Sequence, residues 1–125
     1  QNNYEISKNE SVDSDFVDID PTIIKEKIQN SPLYQQDETS NHYVGLKIKW
    51  TLKLFQIFKL EGNLIEVCML PLNSSFPDIN FRVDIEIYPI FKISEADKKF
   101  EITGKIIKCG KFSIDIDLET IKELK

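Results

Sequence analysis

Apolar and polar residues alternate without a break across residues 44–54. Val44, Leu46, Ile48, Trp50, Leu52 and Leu54 fall on one side, and Lys47, Lys49, Thr51 and Lys53 on the other. Period two is the pattern of a strand with one face in a core. Phe55, Ile57 and Phe58 then break the phase, which predicts a bulge or a sharply bent strand end. Glu61-Gly62-Asn63 supplies a turn, residues 64–70 read as a second strand, and residues 71–78, rich in Pro, Asn and Ser, as a loop. Strand three follows with Ile79, Phe81, Val83, Ile85 and Ile87 inward and Asn80, Arg82, Asp84 and Glu86 outward. Residues 88–99 predict a loop with at most one short helix. Phe100, Ile102, Gly104 and Ile106 mark strand four, Cys109-Gly110-Lys111 turns, and Phe112, Ile114, Ile116 and Leu118 mark strand five, with 119–125 closing as a helical turn.

Upstream of this run the pattern changes twice. Residues 1–19 are polar, acidic and aperiodic, the composition of a flexible lead-in. Asp20-Pro21 then gives a helix start, a capping carboxylate followed by a proline whose missing N–H does no harm. Ile24 and Ile28 lie four apart beside Ile23, and Ser31-Pro32 prevents continuation, so a short helix over about residues 21–30 is expected to cover one opening or edge of the sheet. Three strands, an irregular connection and a hairpin form the order of an all-β, five-stranded OB-type Greek-key barrel with a short N-terminal helix, the barrel at about 43–118 in a domain of 20–125. In that fold the first strand must bend to serve both sides, and Gly45 or Gly104 would ease bending or close backbone approach. An SH3-like barrel and a small open sheet are the competing architectures.

Charge and composition narrow the function. The formal net charge of −5 is concentrated in residues 1–20, where Glu5, Glu10, Asp13, Asp15, Asp18 and Asp20 face only Lys8. From Pro21 onward the charges cancel, so the barrel lacks the strongly basic character of a dedicated nucleic-acid binder. Arg82 is the sole arginine. Cys68 and Cys109 fall on strands two and four, which strand one separates, so free thiols and a reducing, cytoplasm-like compartment are expected. No run is long enough to cross a bilayer. The chain starts at Gln1 rather than Met, which leaves room for a leader, an anchor or a preceding domain.

Tyr43-Val44-Gly45-Leu46-Lys47-Ile48-Lys49-Trp50, then Phe100-Glu101-Ile102-Thr103-Gly104-Lys105-Ile106 and Ile114-Asp115-Ile116-Asp117-Leu118, carry a resemblance. An aromatic, one residue, glycine and an alternation ending in tryptophan, with a later apolar-x-glycine-x-isoleucine segment, resembles bacterial OB-fold domains of the tRNA-anticodon-binding-like kind, many of them uncharacterised. The loop before Phe100 lacks the glycine that pattern carries. The resemblance implies a binding or interaction module and brings no catalytic residues with it.

The candidate ligand residues are Lys49, Lys53, Phe55, Phe58, Arg82, Lys108 and Lys111: cations for phosphates, aromatics for base stacking, and a guanidinium on the strand-three face that OB domains use for ligands. Against this stand Asp84, Glu86, Asp115 and Asp117, which place negative charge on strands three and five, and Arg82 has Asp115 or Asp117 as an expected cross-strand partner. Trp50 shares the phase of the core. Cys68 and Leu70 take the outward phase of strand two beside Glu66, a surface for the N-terminal helix, another domain or a partner to cover. With one histidine, His42, beside Ser40 in a loop where nothing marks it as a base, and four glycines in all, no histidine pair or phosphate loop can be assembled. The expectation is a non-catalytic module without metal or cofactor, partnered by a protein or neighbouring domain. Single-stranded nucleic acid and carbohydrate or another small ligand are the alternatives.

Overall fold

The computed structural model describes residues 16–74, 76 and 78–125. Five strands, β1 (Lys47–Lys59), β2 (Leu64–Pro71), β3 (Ile79–Asp84), β4 (Lys99–Cys109) and β5 (Ile114–Glu123), close into a barrel in the order β1-β2-β3-β5-β4. The all-β OB-type barrel expected from the strand order is therefore the fold observed. β1 pairs antiparallel with β4 through residues 47–53 and with β2 through residues 52–59. Between Leu54 and Gln56 its register shifts by one residue, so Phe55 is the bulge that the broken alternation predicts. Closure between β3 and β5 is parallel and short, Ile79 opposite Ile114 and Asn80 opposite Asp115.

The inward residues of all five strands form one core with Ile24, Ile28, Tyr43 and Phe91. Trp50 belongs to it, 6% exposed, with its indole Nε1 donating to the Ile19 carbonyl at 2.7 Å. That bond holds the strap ahead of the first helix against the barrel, as does Val17 N–H donating to Lys47 C=O at 2.8 Å. Helix α1 (Pro21–Gln29) begins as its sequence dictates: the Asp20 carboxylate accepts from Thr22 N–H at 2.8 Å, satisfying a free donor of the first turn. Ile24 and Ile28 are buried, and Lys25 pairs with the nearly buried Asp78 at the start of β3. The helix is thereby fixed across the barrel end by apolar burial and one charge pair.

Several expectations are corrected. Residues 44–46 precede the first strand: Gly45 has φ +94°, a conformation that side chains with a Cβ rarely adopt, and it turns the chain into β1. The loop expected around His42 contains a second helix, α2 (Gln36–Tyr43), with Tyr43 its only buried residue. β3 stops at Asp84, whose Oδ1 accepts from Glu86 N–H in a local turn, so Ile87 is 69% exposed rather than inward. A short 3₁₀ turn, Pro89–Lys92, inserts Phe91 into the core instead, its ring 5.7 Å from Phe100. Phe112, expected inward, sits in the β4–β5 turn at 73% exposure. Residues 119–123 continue β5, with Leu124 N–H donating to Lys99 C=O, rather than closing as a helical turn.

Gly104 is the glycine that close approach requires. A Cβ there would stand 2.5 Å from the Asp117 carbonyl oxygen and 2.6 Å from Ile116 Cγ2, both on the paired strand, whereas at Gly110 the nearest atom is 3.9 Å away. Gly104→Ala is expected to cost about 1–3 kcal/mol in urea unfolding, and Gly110→Ala less than about 0.5 kcal/mol. Equal midpoints for the two variants would mean that β4 and β5 do not approach in this way.

Candidate ligand face

The outer face of β2 and β3 is built in transverse rows by the strand register. Phe58 on β1 stands opposite Glu66 on β2, and Glu66 opposite Arg82 on β3. One step along, Gln56, Cys68, Asn80, Asp115 and Lys108 form a row that crosses from β1 to β4. Where β3 and β5 cease to pair, a cleft of about 320 Å³ opens, lined by Glu66, Asn80, Phe81, Arg82, Ile107, Asp115, Ile116 and Asp117. Its rim is polar and charged. Phe81 and Ile116 reach it from the core, and Ile107, the bulge residue of β4, adds an apolar side chain that is 55% exposed.

Arg82 is paired here, though not with β5. Its Nε donates to Glu66 Oε1 at 3.0 Å, so the partner is the cross-strand neighbour on β2 rather than Asp115 or Asp117. The register decides this, because Arg82 and Glu66 stand directly opposite while β3 and β5 pair only as far as Asn80 and Asp115. Half-exposed, the pair contributes little to stability, roughly 0–1 kcal/mol. Its consequence is electrostatic: the only arginine is neutralised, and Asp115 and Asp117 leave the cleft acidic.

The sequence-derived candidates do not converge. Phe58, Arg82 and Lys108 share this face, and Phe55 is the bulge residue at its β1 edge. Lys49 and Lys53 point from the half of β1 that pairs with β4 and lie opposite Thr103 and Lys99, a different side of the barrel. Lys111 lies in the β4–β5 turn, where its carbonyl accepts from Gln29 Nε2 of α1 and its ammonium lies 5.4 Å from the Phe112 ring. Asn80, outward beside Arg82 as the alternation predicts, completes the face with Gln56 and Ile107, which only the strand register singles out. A larger groove of about 570 Å³ runs elsewhere, between the strap at residues 16–21, Lys49–Thr51 on the edge of β1, and Pro71–Asn73.

Both cysteines are free. Burial pushes the Cys68 thiol up, and the carboxylates of Glu66 and Asp115 push it further the same way. Burial alone raises Cys109 to about 11. His42 packs edge-on against Tyr43 on α2. Among the described residues no group of three or more His, Cys, Asp or Glu side chains is arranged to hold a metal ion, and no helix is long and apolar enough to cross a membrane.

No protein-family model matches the chain, and no curated protein sequence matches it. Among solved structures it is similar to "OBody AM1L10 bound to hen egg-white lysozyme", with a TM-score of 0.54 and 10% identity over 69% of this chain and 85% of that one. At that identity the likeness is one of fold.

A raised thiol pKa lowers the thiolate fraction at neutral pH, and the thiolate is the nucleophile. Cys109 alkylation by iodoacetamide, followed by peptide mapping, should therefore accelerate about tenfold per pH unit between about pH 8 and 10. A rate that bends over near pH 9 and levels off by about pH 10 would mark an unperturbed thiol. Glu66→Gln removes one of the charges that hold Cys68 protonated and should speed its alkylation, with Cys109 unchanged.

Proposed function

We propose that the barrel is a non-catalytic interaction module that receives a protein partner or a neighbouring domain on the outer face of β2 and β3. The observation that carries this reading is the pairing of Arg82 with Glu66 beside Asp115 and Asp117, which leaves that face without the uncompensated positive charge a phosphate backbone requires. Exposed apolar side chains at Phe58 and Ile107 flank the acidic cleft, and an apolar patch within a polar, mixed-charge rim suits a protein surface. A barrel of similar fold is described as bound to hen egg-white lysozyme, so the architecture is compatible with a protein-binding surface. Non-catalytic character is supported by thiols held protonated and by a histidine packed edge-on against Tyr43. The resemblance to tRNA-anticodon-binding-like OB domains, which implies a binding or interaction module, belongs to the same reading.

Fluorescence anisotropy with labelled single-stranded DNA and RNA tests the alternative directly. No saturable binding is expected up to tens of micromolar protein in low salt. Salt-sensitive binding that Arg82→Ala abolishes would overturn the reading. In parallel, a photo-crosslinking residue at Asn80 should capture a discrete protein from the native cell extract while the same residue at Glu38 on α2 does not. Equal capture at both positions would show that the β2–β3 face is not the interface.

A further inference from the structure

A second charged surface lies on the part of the barrel that the proposed protein interface leaves free. The outward residues of β1 and β4 include Lys47, Lys49, Lys53, Lys99 and Lys105. The register sets Lys47 directly opposite Lys105, and Lys53 directly opposite Lys99. Like charges facing one another across an antiparallel ladder destabilise it. Only Glu101 and Asp117 stand among these lysines as cross-strand neighbours, and none of the five forms an ion pair with another described residue. The folded barrel thus builds a lysine strip in which cations outnumber acids: Asp117 faces Lys105, and Asp18 and Asp20 of the strap line the groove beside Lys49, but none closes an ion pair with a strip lysine.

We propose that this strip is the docking surface for the chain's own acidic segment, residues 1–15. That segment carries Glu5, Glu10, Asp13 and Asp15 against Lys8 alone, the charge opposite to the strip. It is also delivered there. Residues 16–19 run beside the start of β1, where Val17 N–H donates to Lys47 C=O and Phe16, the first described residue, lies 6.0 Å from the Lys49 ammonium. Asp15 and Asp13 are one and three residues from Phe16 in sequence, and three extended residues span about 10 Å. Attachment through the strap makes the contact intramolecular, which raises the effective concentration of the acids far above that of a free peptide. A docked segment would relieve the lysine repulsion and withhold the strip from outside polyanions. This inference concerns a different face and stands independently of the protein interface proposed above.

The full chain carrying Ser11→Cys, spin-labelled at that thiol, tests it by NMR. The burial and raised pKa values of Cys68 and Cys109 leave the new thiol the fast one to label. At low salt the label should broaden the amides of Lys47, Lys49, Thr103 and Lys105 selectively. The broadening should vanish at about 1 M salt, where the screening length is about 3 Å. It should also vanish in Lys49→Glu with Lys105→Glu, or in the paired glutamine variants if the glutamates disturb folding, and in Asp13→Asn with Asp15→Asn. Absent or uniform broadening, broadening centred on Glu66 and Arg82, or broadening that survives salt and the lysine variants would overturn the proposal. So would an oligonucleotide that binds the wild-type chain through Lys49 and Lys105, because the strip would then be open to a polyanion from outside.

Discussion

The structure depends on one strand being shared by two neighbours. β1 hydrogen-bonds to β4 through its first half and to β2 through its second, and a five-stranded sheet closes only if that strand bends between them. The bulge at Phe55 supplies the bend and also resets the alternation. Leu54 and Ile57, three residues apart, both pack on the core, where an unbroken period of two would have sent Ile57 outward. Gly104 carries the matching constraint on the other side, since β4 and β5 approach too closely there for any side chain.

The same bend divides the surface. Lys47, Lys49 and Lys53 leave the barrel with β4, whereas Gln56 and Phe58 leave it with β2 and belong to the rows that contain Glu66 and Arg82. A continuous cationic track from β1 to Arg82 would need all of these on one face, and the turn of the strand forbids it. One side becomes a mixed, acid-leaning face with a cleft at the β3–β5 seam, the other a lysine strip beside the N-terminal strap. Each has its own electrostatic character although both derive from the same strand.

What the sequence hid follows from which signals are periodic. α2 contains only one buried residue, Tyr43, so no apolar stripe announces it; Asp37 and Glu38 in its first turn, favourable to a helix dipole, were the only local cue. Ile87 and Phe112 continue the alternation of their strands on paper, but local turns at Asp84 and Gly110 end the pairing before either can face inward. Phe91 reaches the core from a 3₁₀ turn with no period of its own. Asp78 stands in a stretch whose composition predicts a polar loop, yet it is buried, with Lys25, distant in sequence, brought to it by α1.

The sequence by itself determined the five strands in their order, a break in β1 beyond Leu54, the capped first helix and the core position of Trp50. Each of these is a local consequence of period or capping chemistry. Only the tertiary structure decided which charges meet. Arg82 pairs with Glu66 rather than Asp115 or Asp117, and Lys47 faces Lys105, because cross-strand neighbours are fixed by register and by where a strand bends, and neither is a property of any short stretch of chain.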